Sequence, residues 1–160
     1  MPSGEREAQA GVVGDSRDIP GPAQVAASGP RAHESAAEYE QLIAAIYEGY
    51  QLHYGTRQPR EDSDLALLAG DELYARGLAR LVALGDLVAV AELADVITLT
   101  ALAHGVGDGE LATAIWDAGA RAVGWGPSAE HERAKALARE GSPRALGAMR
   151  AVAAGEASAG

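Results

Sequence analysis

From Ser35 to about residue 155, apolar residues recur at three- and four-residue intervals, and the breaks between runs fall at Gly, Asp, Ser and Pro. That is the period of amphipathic helices, and no alternating strand pattern competes with it. Ser35-Ala-Ala-Glu38 reads as a capping box, in which the hydroxyl and the carboxylate each satisfy a free backbone donor. The first helix then runs to about Tyr54 and stops at Gly55, with Tyr39, Ile43, Ile46, Tyr50 and His53 on one face. A polar linker, TRQPRED, leads to Ser63 or Asp64 as the next N-cap, and the second helix extends to Leu84. Gly85 supplies the left-handed residue that closes it. Asp86 caps a third helix, which continues to His104. Asp108 starts a fourth, ending near Val123 before Gly124-Trp-Gly-Pro127. Ser128 and Gly141 bracket a fifth, and Ser142-Pro143 opens a sixth with Pro in its first turn.

The expected fold is therefore all-α, a compact antiparallel bundle of about six helices over residues 34–155, because short connections favour antiparallel neighbours. Residues 1–33 are rich in Gly, Pro, Ala and Ser, with Pro20, Pro22 and Pro30 placed to break helices. They read as a disordered N-terminal tail that buries too little to offset its ordering entropy. Within the bundle the third helix is unusual. Leu87, Val90, Leu93, Val96, Ile97, Leu99 and Leu102 cover almost its whole circumference, leaving Glu92 and Asp95 as a narrow acidic seam. A helix apolar all round is normally buried, so this one is expected to be central or to meet a partner.

Composition narrows the classes of function. The chain of 160 residues has 13 basic and 23 acidic side chains, a net charge of −10. A nucleic-acid binder would show a basic stripe, and a membrane-surface protein a polybasic patch. The absence of Cys removes disulfides, thiolate metal sites and a cysteine nucleophile. The N-terminus has neither the basic nor the apolar region of a secretory signal. Leu81 to Ala103 is long enough to span a bilayer but carries Asp86, Glu92 and Asp95, so a cytoplasmic chain without membrane insertion is expected.

Candidate chemistry concentrates in Leu67-Leu68-Ala69-Gly70-Asp71-Glu72-Leu73. Asp71 falls on the apolar stripe of Leu67, Tyr74, Leu78 and Leu81, and a carboxylate there must find donors or shift its pKa. It could serve a ligand or catalysis. The favoured reading is structural: a buried acceptor for a helix terminus, a backbone amide or an Arg, near Gly70 where another backbone can approach. His33, His53, His104 and His131 share no helix at metal-ligand spacing, and His53 and His104 sit in ordinary structural places. Gly105-Val-Gly-Asp-Gly109 lacks the preceding strand that a phosphate loop needs. Trp116 reads equally as core or as an interface anchor, beside Trp125.

The stretch LALLAGDELYARGLARLVALGDLVAVAELADVI resembles all-trans polyprenyl diphosphate synthases in the region after their first aspartate-rich motif. It is more similar still to the small, non-catalytic component of two-subunit synthases of the heptaprenyl type, where a Gln- or Arg-rich linker leads into the LAGD helix. Gln58-Pro59-Arg60 matches that linker, and the similarity covers about residues 36 to 105. Catalytic members clamp magnesium and diphosphate between two DDxxD motifs. Where the first should stand this chain reads IYEGYQLHY, with Glu48 as its one carboxylate, and no second motif follows. Glu61, Asp62 and Asp64 form an acidic helix cap rather than a magnesium site.

The resemblance implies a truncated isoprenoid-synthase-like bundle. It would act as a non-catalytic, regulatory subunit without metal or cofactor, pairing with a catalytic polyprenyl diphosphate synthase chain. The interface or tunnel-wall candidates are Tyr50, Leu67, Leu68, Gly70, Asp71, Tyr74, Leu93 and Ile97. The alternative is a small all-α interaction or homodimerisation module unrelated to isoprenoids.

Overall fold

The computed structural model describes residues 19–55 and 63–156. These form seven α-helices and one 3₁₀ turn: α1 (Pro22–Ser28), the 3₁₀ turn (Pro30–Ser35), α2 (Ala36–Tyr54), α3 (Ser63–Ala83), α4 (Leu87–Gly105), α5 (Gly109–Trp125), α6 (Ala129–Arg139) and α7 (Ala145–Ala153). The protein is an all-α bundle with no strand among the described residues. α2 packs along α3 and α4 along α5, while α1 bridges α2 to α5 and α7 joins α5 to α6.

The expected caps account for most boundaries. Asp86 accepts from the Ala89 amide at 3.0 Å, Asp108 from the Leu111 amide at 2.9 Å and Ser128 from the His131 amide at 3.0 Å. Each satisfies an amide that the helix leaves unpaired. Gly85 adopts φ +77° between α3 and α4, a left-handed turn that any side chain would strain. Ser35 departs from the expected capping box and makes no side-chain cap bond. The 3₁₀ turn runs straight into α2, so there is no isolated helix start for its hydroxyl to cap. Both Ser63 and Asp64 lie inside α3, and the linker before them falls outside the described residues. The sixth expected helix begins slightly later, at Ala145, after Ser142 accepts from the Arg144 amide at 3.2 Å.

The expected tail boundary at residue 33 does not stand. Pro22 occupies the first turn of α1, where its missing N–H costs nothing, and Pro30 likewise opens the 3₁₀ turn. Ala26, Ala27 and Ala32 are buried, because small side chains let α1 lie directly on α5. Residues 1–18 lie outside the described residues. Arg31 then ties this segment down, donating to the Val123 carbonyl at 2.8 Å and to Asp86 at 2.7 Å. Tyr39 donates to the other Asp86 oxygen at 2.6 Å, so one carboxylate joins the 3₁₀ turn, α2 and the start of α4. Burial pushes the Asp86 carboxyl upward, but hydrogen bonds from Tyr39, the Ala89 amide and Arg31 outweigh it and hold its pKa below the usual value.

The central helix is α5, not α4. Leu111, Ile115, Trp116 and Val123 are buried on α5 together with Ala and Gly positions around most of its circumference. Its small residues admit α1, α4 and α7 closely; Val96 of α4 sits over Gly119. α4 presents Ala89, Glu92, Leu93, Val96, Leu99, Thr100 and Ala103 inward and leaves its opposite face open.

Candidate functional site

Four of the eight candidate positions converge where the C-terminal end of α2 meets α3, α4 and α5. The Tyr50 hydroxyl shares a hydrogen bond with Nε2 of His104 on α4, at 2.7 Å. Its ring lies against Trp116 of α5, with centroids 5.4 Å apart. Tyr47 meets the same indole edge-on at 5.0 Å. Tyr54 stacks on the His104 ring at 4.1 Å, almost parallel, and Tyr74 of α3 stacks on His53 at 5.3 Å. Gly70 brings α3 against α2 at this level: a Cβ on it would stand 2.6 Å from the His53 ring. Asp71 then accepts from Nε2 of His53 at 3.0 Å. Four tyrosines, two histidines and one tryptophan thus form one continuous aromatic cluster joining four helices.

The cluster is packed, which fixes its chemistry. Burial, followed by neighbouring Tyr47 and Tyr54, pushes the Tyr50 hydroxyl up to about 12. Tyr74 is raised further, again chiefly by burial. Both phenols therefore remain protonated at neutral pH, and the Tyr50 hydroxyl ties α2 to α4 rather than exchanging protons. Among the described residues no group of three or more His, Asp or Glu could hold a metal ion.

Asp71 corrects the sequence expectation. Its side chain is 66% exposed, and its donor is His53, not a helix terminus, a backbone amide or an Arg. The stripe places Asp71 beside α2 but at the rim, where solvent reaches it. His53 and His104, read as ordinary positions, are the hubs of the cluster. Their signal in the sequence was their place one turn beyond Tyr50 and at the end of the most apolar helix, which becomes informative only when the helices are paired.

The other four candidates separate. Leu93 is fully buried in the core on α4, and Ile97 is partly buried on the same helix. Leu67 and Leu68 are exposed on α3, Leu68 at 64%. The open face of α4 carries the remaining unusual surface. Leu87, Ala91, Ala94, Thr98 and Ala101 form its outward row, with Val88, Leu102 and Val106 beside it, and none is charged. Even the Thr98 hydroxyl is spent internally, on the Ala94 carbonyl at 3.0 Å. α4 is the one described helix long and apolar enough to cross a membrane.

The acidic seam of α4 is drawn away from that face: Asp95, partly exposed between Val88 and Leu102, turns to α6, and Glu92 lies wholly inside. Glu92 is buried and accepts from Nε2 of His131 at 2.6 Å and from Nζ of Lys135 at 3.0 Å, both on α6. Lys135 also reaches Asp95 and Glu132 at 2.8 Å each, and Arg139 reaches Asp95 at 3.1 Å. Burial raises the Glu92 carboxyl, yet the bonds from His131 and Lys135 outweigh it and hold its pKa below the usual value. Burial would also discharge Lys135; Asp95, Glu132 and Glu92 overcome that and raise its pKa. The chain's only lysine is thus the pivot of an ion network fastening α6 to α4, a role its rarity did not reveal.

No protein-family model, no curated protein and no solved structure matches this chain.

Proposed function

We propose that this chain is the non-catalytic accessory subunit of a two-component polyprenyl diphosphate synthase, docking on a separate catalytic chain through the open face of α4. The uncharged outward row of α4 carries the reading. In a chain of net charge −10, a helix face from Leu87 to Val106 whose one charged residue, Asp95, is already paired with Lys135 and Arg139 of α6 is a surface suited to cover by another apolar helix. The hairpin of α3 and α4 is also the part of the chain that resembles the small synthase subunits, and Leu65, Leu67 and Leu68 are exposed on α3. Co-expression with a catalytic polyprenyl diphosphate synthase chain from the same source should yield a stable complex, and Leu102→Glu should disrupt it without lowering the melting temperature. Supplied alone with farnesyl diphosphate, isopentenyl diphosphate and magnesium, the chain should form no product. Robust elongation would overturn the proposal.

One observation favours the second reading, a homodimerising module. The open face of α4 carries a large residue near each end, Leu87 and Leu102, and the small residues Ala91, Ala94, Thr98 and Ala101 between. An antiparallel pair of α4 helices would set Leu87 against Leu102 of the second copy and Ala91 against Thr98, as a two-fold axis requires. Light scattering on the purified chain separates the readings. A tight homodimer with no affinity for the synthase chain supports the second.

A further inference from the structure

At the far end of the molecule from the aromatic cluster, the end of α5, the start of α6 and the end of α7 enclose a cleft of about 250 Å³. Its walls include Arg121, Trp125, Ser128, His131, Val152 and Glu156. The Arg121 guanidinium lies 4.7 Å over the centre of the Trp125 ring. It also rests on the backbone of Gly155, where a Cβ would stand 2.5 Å from Nη2. The group is therefore held on its flat faces, while no carboxylate or carbonyl among the described residues accepts from its N–H edge. Arg31, Arg76, Arg80, Arg133 and Arg139 all have carboxylate partners. In so acidic a chain, a fixed guanidinium without an acceptor is an open binding group.

A second unmet polar group lies in the same wall. His131 is 2% exposed, its Nε2 is committed to Glu92, and its Nδ1 has no hydrogen-bond partner. With Nε2–H given to Glu92, Nδ1 of the neutral ring is an acceptor that takes a water or a ligand hydroxyl and leaves the carboxylate to Arg121. The amides opening α6 add positive character at the same mouth.

We propose that this cleft binds a small organic carboxylate, anchored by Arg121, with its apolar part against Trp125 and Val152. A single negative charge suits the site better than two, because Glu130 and Glu156 also line it. Glu130 is already engaged by Arg133 at 3.0 Å, which leaves the Arg121 donors for the ligand.

The experiment titrates sodium hexanoate into the full chain, reading indole fluorescence and melting temperature, with sodium sulfate at matched ionic strength in parallel. Trp125 is exposed and Trp116 buried, so the signal reports the cleft. Wild type should show a saturable fluorescence change and a rise in melting temperature with hexanoate. Arg121→Gln should weaken hexanoate binding by about tenfold or more, since a charge-assisted pair is lost. Should that variant be less stable on its own, Arg121→Lys, which keeps the charge but not the planar fork, should weaken binding in the same direction. Glu156→Gln should bind as well as wild type or better. The proposal is overturned by a titration without saturation, by equal binding to the Arg121 variants, or by an equal response to sulfate. It is also overturned if hexanoate binds only to Glu156→Gln, which would mean that Glu156 fills the cleft in the native chain.

Discussion

Gly49 and Gly70 face each other at the crossing of α2 and α3. A Cβ built on Gly49 would stand 2.8 Å from the Gly70 carbonyl oxygen, and one on Gly70 would stand 2.9 Å from the Gly49 carbonyl oxygen. The contact is reciprocal and made by backbone, so neither helix can yield by rotating a side chain. Gly70→Ala gains helix propensity, worth up to about 1 kcal/mol, but overpacks a tight crossing at about 1–3 kcal/mol. Gly70→Ala and Gly49→Ala should each lower stability in chemical denaturation, and the double change should cost less than the sum, since one separation of the helices relieves both clashes.

Asp71, one residue further along α3, should be far more tolerant. Its carboxylate is mostly solvated and its one bond is to His53, a pairing of the exposed kind worth about 0–1 kcal/mol. Asp71→Ala should shift the denaturation midpoint only slightly, and Asp71→Asn less. A loss comparable to Gly70→Ala would mean that the carboxylate does more than hold His53.

The contrast between these neighbours shows what the sequence made legible. Helix ends at Asp86, Asp108, Ser128 and Gly85 could be read because capping is local chemistry, and five of the six expected helices begin within about a residue of their place. What depends on pairing could not. The LAGD segment marked Gly70 as a close approach, but whether Asp71 points inward or to the rim is decided by the roll of α3 on α2, which differs by only one side of the stripe. α4 looked central because its apolar residues outnumber those of α5. α5 is central because Ala and Gly occupy less space, and three helices can close around it. α1 was missed because prolines were read as breakers, although two of them open helical turns. Of the candidate site, Tyr50, Gly70, Asp71 and Tyr74 share one locus, whereas His53, His104, His131 and Lys135 gain their roles only from neighbours distant in sequence.

The network around Glu92 should show the asymmetry of buried ion pairs. Lys135→Met leaves the Glu92 carboxylate buried with His131 as its remaining partner, while Asp95 keeps Arg139 and Glu132 turns to solvent. Removing one member of a buried pair costs about 3–5 kcal/mol when the other charge is left uncompensated, and the bond from His131 should keep the loss at or below the low end of that range. The double change Glu92→Leu with Lys135→Met should recover much of that loss. A double-mutant cycle in urea measures the coupling, and near-additive losses would count against the network as the fastening of α6.

The stability of the chain should be bounded on both sides of neutrality, and the alkaline side is set mainly by tyrosines. On the acid side, Asp86, Glu92 and Asp95 all have folded pKa values below their ordinary ones. Their contribution is present in full above the unfolded carboxylate range and is lost as pH falls through the lowered folded values. On the alkaline side the sign reverses. Tyr39 and Tyr50 are raised from 10.0 to about 12, by burial first and then by Asp86 for Tyr39 and by Tyr47 and Tyr54 for Tyr50. A raised pKa stabilises the fold in full below pH 10, and that stability drains away as pH climbs from 10 towards 12, where the unfolded chain ionises first. Lys135 acts in the same direction above its ordinary 10.5. Melting temperature should therefore form a plateau from about pH 6 to 9 with both limbs falling. Tyrosinate absorbance tests the alkaline limb directly. In urea all five tyrosines should titrate together near 10, whereas in the native chain Tyr39, Tyr50 and Tyr74 should lag and ionise with the loss of helical circular dichroism. Tyr50→Phe should remove one of the lagging groups and cost about 0.5–1.5 kcal/mol at pH 7, through the lost bond to His104. If all five tyrosines titrate near 10 in the folded chain, the packed state of the cluster is refuted.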